Sequence, residues 1–157
     1  YSIAGIIFYL AAYAFMNIGA FSVISVIEVN DDSRTGIKSY AGLQSKSPFL
    51  AAMISLFMFA LAGIPPLAGF FGKYYVFFGA IQADLTWLAI VGVLSSVISV
   101  YFYIRVVVYV YFKNSEEDFE IESSVGTYAA IIISAAFVLL LGFFPDMLLG
   151  LITASIK

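Results

Sequence analysis

Lys73 is the ionisable residue whose setting in the sequence could do chemistry, because it stands inside the apolar run from Ala68 to Ile81, with no polar boundary close on either side. An amine at membrane depth is costly unless it meets a cavity, water or a partner. Burial and a neighbouring carboxylate pull its proton affinity in opposite directions, and an amine held in that balance exchanges protons. The alternative is that the long stem lets the charge reach the interface; the residues themselves leave both readings open. Just before the lysine come Gly63, Ile64, Pro65 and Pro66, with Gly69 and Gly72 between them and it. Proline removes a backbone donor and clashes with the preceding turn, and the residue before it is pushed out of helical geometry. A helix break is therefore predicted over 63–69. Broken helices supply dipole ends, free carbonyls and room for water where transporters relay ions, and small residues let another helix approach closely. A passive proline kink is the competing account.

Asn17, Glu28, Ser95, Ser96, Ser99, Tyr101 and Arg105 form a second tier of candidates for relay or water contact. Glu28 and Arg105 lie near predicted helix ends, where interface placement explains them equally. Tyr101 and Arg105 share a helix face by their spacing. Asn17 and the serines suit hydrogen bonds between helices or bound water. The chain has no histidine and no cysteine, which removes the usual near-neutral proton carrier and thiolate or imidazole metal ligation. Glycine-rich nucleotide loops, paired catalytic carboxylates and nucleophile triads are missing as well. A net charge of −3 with scattered cations argues against nucleic-acid binding, which needs a basic footprint.

The elements that must position these residues are membrane helices. Hydrophobic residues make up 63% of the 157 and charged residues 11%, against about a quarter charged in soluble domains; the mean hydropathy is +1.05. At roughly 20 apolar residues per crossing, the sequence predicts an all-α membrane protein with four spans. They are read as 2–27, 48–81 broken near 63–69, 87–112 and 125–148, forming a single bundle with polar links at 28–47, 82–86 and 113–124. Each half of 48–81 is short for a crossing, so one discontinuous span is preferred over a hairpin of two short elements. Within the first link, Ile37, Tyr40, Ala41 and Leu43 suit a short interfacial helix. Trp87 is placed as an interface anchor, and the last span is expected to kink or end at Gly142-Phe143-Phe144-Pro145 before a tail. Arg34, Lys38, Lys46 and Lys113 gather on the side of the two long links, which predicts that side to be cytoplasmic. The start, Tyr1-Ser2-Ile3, does not read as a signal peptide, and the chain is taken to be a fragment of a longer protein.

Leu61-Ala62-Gly63-Ile64-Pro65-Pro66-Leu67-Ala68-Gly69-Phe70-Phe71-Gly72-Lys73-Tyr74-Tyr75-Val76-Phe77 resembles the most characteristic stretch of the subunit N family (subunit 2 in mitochondrial usage) of proton-pumping NADH-quinone oxidoreductase, respiratory complex I. The stretch Tyr9 to Phe21, and Tyr40-Ala41-Gly42-Leu43 followed by Ser47-Pro48, resemble the same family in the same order. The likeness carries specific motifs over residues 1–112; beyond them it is one of hydrophobicity. It implies an antiporter-like subunit of about fourteen helices, of which these would be the last four. Lys73 then falls on the family's lysine in a discontinuous helix, part of a chain of buried charges that conducts protons, and Gly63 to Pro66 fall on the break. The family's other key lysines and its glutamate belong to earlier helices. The resemblance further implies a bacterial inner or plasma membrane, neighbouring antiporter-like and small membrane subunits, the preceding part of the same subunit, lipids, protons and water as partners, and no cofactor in this chain. NADH, FMN, iron-sulfur clusters and quinone would belong to the parent complex. Monovalent-cation/proton antiporter subunits and membrane-bound hydrogenase subunits share the Gly-Ile/Leu-Pro-Pro and Gly-x-Lys framework, while Tyr74-Tyr75 and Asn17 to Phe21 favour subunit N. The alternative from another class is a purely structural membrane-arm module in which Lys73 only pairs a neighbouring subunit.

Overall fold

Apolar side chains on every face of a long helix suit burial among other helices and lipid alike, and the first element is of this kind. In the computed structural model, which describes residues 2–28, 36–115, 121 and 124–156, α1 spans Ser2–Glu28. Ala4, Phe8, Ala12, Met16, Ala20, Val23 and Ile27 form its buried stripe, while Ile3, Leu10, Ile18 and Phe21 point outward. Spacings of three and four place the stripe on one side of the helix. That side packs against α3, α4, α6 and α7, so α1 is the hub. Phe8 meets Tyr75 edge-on at 5.5 Å, and Phe15 stacks on Phe137 at 4.3 Å.

The link after α1 forms a 3-10 turn at Ile37–Tyr40 and a one-turn α2 at Leu43–Lys46. They are two pieces rather than the single interfacial helix expected, because Gly42 between them takes a left-handed φ of 69°. Both dock on the end of α5: the Gly42 N–H donates to the Tyr109 carbonyl at 3.2 Å and Gln44 Nε2 to that of Tyr111 at 3.3 Å. Residues 36–46 therefore lie at the end of α5 from which Lys113 to Ser115 lead away. Helix α3, Pro48–Ala62, starts with proline in its first turn and the Ser47 hydroxyl accepting from the Leu50 N–H. Then follow α4, Ala68–Gln82, and α5, Thr86–Phe112. Helix α6 runs Val125–Phe143, its N-cap Ser124 accepting from the Thr127 N–H, and α7 runs Pro145–Ser155.

The fold is all-α among the described residues, and three helices, within α1, α5 and α6, are long and apolar enough to cross a membrane. Helices α3 and α4 have 15 residues each, about 22 Å at ~1.5 Å per residue, less than a ~30 Å hydrocarbon core. Neither crosses by length alone, so three helices of spanning length are seen among the described residues where the sequence reading counted four spans, the one at 48–81 being read as broken. The last span, read as 125–148 with a kink or end at Gly142 to Pro145, is interrupted there: α6 ends at Phe143. Pro145 lacks the amide that would continue the ladder and forces Phe144 out of helical geometry (φ −129°, ψ 60°). What was read as a tail re-forms as α7, with Ile152 buried.

Candidate functional site

The break predicted over 63–69 is a complete rearrangement of hydrogen bonds. Helix α3 ends in a Schellman motif, in which Ile64 N–H donates to the Phe59 carbonyl and Gly63 N–H to that of Ala60, both at 3.1 Å. Gly63 adopts φ 84° and ψ 34°, a conformation that strains any residue with a Cβ. Pro65 and Pro66, joined by a cis peptide bond, carry the chain round to Leu67, whose N–H donates to the Ile64 carbonyl at 3.1 Å. Helix α4 begins one residue later. Its return is close: a Cβ on Gly69 would collide with the Ala60 carbonyl oxygen, and one on Gly72 would lie 2.7 Å from Tyr9 Cδ2. Helix α6 covers the break through Gly142, where a Cβ would strike the Pro66 carbonyl oxygen and lie 2.9 Å from Leu67 Cα.

Lys73 turns back from α4 across this break. Its Nζ donates to the Leu61 carbonyl at 3.1 Å and is 3.4 Å from that of Ala62, so the ammonium sits at the negative end of the α3 dipole. Its stem passes over Gly63, whose Cβ, if present, would be 3.3 Å from Lys73 Cδ. On one side of the lysine lies a cavity of about 200 Å³, to which α1 contributes Tyr9 and Tyr13 and α5 contributes Ser95, Ser96, Ser99 and Tyr103. It has room for several waters. Hydroxyls both donate and accept, so this lining is built for water. On the other side a larger space of about 360 Å³ is walled by Phe70, Tyr74, Phe77, Val93 and Val97. Lys73 and Ser96 line both spaces. No carboxylate lines either of them among the described residues, so the neighbouring acidic charge considered for the lysine is not part of these walls.

The second-tier residues separate. Ser95, Ser96 and Ser99 reach the cavity, with Ser99 Oγ also donating to the Ser95 carbonyl at 3.0 Å. Asn17 Nδ2 donates to the Tyr13 carbonyl of its own helix at 2.8 Å and does not line the cavity. Tyr101 is 64% exposed, on the outward face of α5. Arg105 lies over the Tyr109 ring at 5.9 Å; neither it nor Tyr101 lines either space. Glu28 closes the backbone of α1, and its side chain lies outside the described part. The tyrosines were not foreseen from the sequence. Their signal was periodic: Tyr9 and Tyr13 are four apart and their rings stack at 5.9 Å, and Ser95, Ser99 and Tyr103 follow at intervals of four on one face of α5.

A family model described as NADH:quinone oxidoreductase/Mrp antiporter, transmembrane, matches residues 1–99. The chain belongs to this family. Within the NADH:quinone oxidoreductase/Mrp antiporter family it is similar to NADH-quinone oxidoreductase subunit N of Trichlorobacter lovleyi, with 48% identity over 155 residues, 98% of this chain and 32% of that protein. Subunit N of Rhodospirillum rubrum is 41% identical over 145 residues, 92% of this chain and 30% of the relative. Among solved structures, a chain of respiratory complex I from Thermus thermophilus with bound aureothin superimposes with a TM-score of 0.81 at 31% identity, covering 91% of this chain and 33% of that one. The chain thus spans about a third of the length of the curated relatives it matches. The resemblance drawn from Leu61 to Phe77 is borne out at the level of the family and of its subunit N relatives.

Proposed function

We propose that this chain supplies the proton-relaying end of an antiporter-like subunit in a membrane-bound NADH:quinone oxidoreductase, with Lys73 accepting and releasing protons. The observation that carries this reading is the place of its amine, between the open carbonyls of Leu61 and Ala62 and a cavity lined by Tyr9, Tyr13, Tyr103 and three serines. A half-buried amine bordered by hydroxyls on one side and by carbonyl dipoles on the other has neighbours for both of its charge states, which is what a relay group requires. Ser95, Ser96, Ser99 and the tyrosines hold the water that hands protons to it.

In this reading α3 and α4 together make the broken second crossing, 48–81; α6 packs through Gly142 on Pro66 to Ala68, while Ile64, Pro65 and Pro66, exposed in this chain by itself, are covered by protein or water rather than lipid. The spans 2–27, 87–112 and 125–148, the last shortened to α6, complete the bundle in a bacterial inner membrane. Links 28–47 and 113–124 face the cytoplasm, in keeping with the cations they carry and with the docking of residues 36–46 on the end of α5. The partners are the preceding part of the same subunit, the neighbouring membrane subunits, lipid and water. NADH, FMN, iron-sulfur clusters and quinone work elsewhere in the complex.

The test is Lys73→Met in the complete complex, which removes the exchangeable proton while keeping most of the side chain's volume. The proton-to-electron ratio is expected to fall, and coupled quinone reduction with it; an unchanged ratio overturns the reading. Lys73→Arg keeps the charge but releases a proton far less readily, and is expected to behave like the Met variant. Because the family description also names Mrp antiporters, sodium dependence is measured on the same vesicles. Sodium-dependent transport would place the chain on the cation/proton antiporter side.

A further inference from the structure

The last turn of α3 permits a full accounting of its carbonyls. Buried backbone acceptors are almost always paired, and the last four carbonyls of a helix lack partners within it. In α3 these are Phe59, Ala60, Leu61 and Ala62. Phe59 and Ala60 are served by the amides of Ile64 and Gly63. In a continuing helix Leu61 would receive the amide of residue 65 and Ala62 that of residue 66. Both positions are proline, with no N–H to give. The next amide, that of Leu67, is already committed to the Ile64 carbonyl. The two carbonyls left over are the two that Lys73 Nζ reaches.

The geometry points to a second role for Lys73 beyond proton relay: its ammonium stands in for the two backbone amides that Pro65 and Pro66 lack and closes the C-terminus of α3, with both prolines acting as positioning residues that keep the Leu61 and Ala62 carbonyls open for it. One charged group with three N–H donors replaces two neutral ones, and a charge-assisted bond is stronger than the amide bond it replaces. Gly63 belongs to the same device, since a side chain there would crowd the lysine stem at 3.3 Å. Removing a proton from Lys73 therefore takes away the charge that secures the break, so the occupancy of the relay and the closure of α3 are linked.

This role is separable from transport and is tested by hydrogen–deuterium exchange of the Gly63 and Ile64 amides in the full-length subunit within its complex. Lys73→Met is expected to speed their exchange about tenfold, the effect of losing one charge-assisted hydrogen bond. Lys73→Gln, a neutral donor of shorter reach, is expected to fall between. In the Pro65→Ala/Pro66→Ala background, where main-chain donors are restored, the same Lys73→Met change is expected to alter exchange by less than about twofold. Unaltered exchange in both lysine variants overturns the inference, as does an equal Lys73→Met effect with and without the prolines. Proton pumping by the same samples reports on the relay alone: accelerated exchange with intact pumping would remove the relay and leave the cap standing.

Discussion

Beyond Ser47-Pro48, where α3 starts, the chain turns at proline twice, and these two turns differ in what becomes of the backbone they release. At Gly63 to Pro66 two successive amides are lost, a left-handed glycine seals half of the α3 end, and a lysine from the returning helix covers the other half. At Phe144-Pro145 a single amide is lost, Phe144 N–H still donates to the Leu140 carbonyl at 2.8 Å, and α7 begins at once with Pro145 in its first turn and Asp146 beside it. Helices α6 and α7 contain no lysine or arginine. Proline alone makes a bend; a polar site arises when the released carbonyls meet a donor that carries charge. The two turns also touch, since Gly142 of the second packs on Pro66 to Ala68 of the first.

Substitutions that separate the two turns should differ in size. Gly69→Leu at the first break is expected to be the most damaging, since its side chain would enter the Ala60 carbonyl; overpacking against backbone that cannot yield costs about 3 kcal/mol or more, read as loss of assembled subunit on heating. Gly142→Leu should approach it, because it presses on the same break from α6. A tolerated Gly142→Leu would mean the turns do not bear on each other. Gly63→Ala is expected to lower stability by about 1–2 kcal/mol through its left-handed φ of 84°, and also to reduce pumping by displacing the lysine. Pro145→Ala should change stability by less than about 1 kcal/mol and leave pumping intact, in contrast to Pro65→Ala/Pro66→Ala. Smallest of all, Gly150→Ala in α7, where nothing lies within 4 Å of the added methyl, should raise the midpoint slightly, by up to about 1 kcal/mol of helix propensity.

The first turn was legible in the sequence and the second only in part, for physical reasons. Gly63-Ile64-Pro65-Pro66 is a local signal that no tertiary contact can override, because the missing amides are covalent facts. Gly142 to Pro145 announced an interruption, but not that residues beyond it form α7, since an apolar stretch of 11 residues has no marker separating a tail from a packed helix. Lys73 stood out because charge is scarce. Tyr9, Tyr13 and Tyr103 did not, in a chain with 11 tyrosines; what sets them apart is that α1 and α5 bring them to one cavity. Nor did the sequence show that Asn17 would pair with the Tyr13 carbonyl of its own helix or that Tyr101 would face outward.

Lys73 and Ser96 are the two side chains shared by the wet space and the greasy one, so the lysine stem is also a partition. Methionine at 73 would leave this wall standing, whereas alanine would withdraw it and let the two spaces run together beside Ser96.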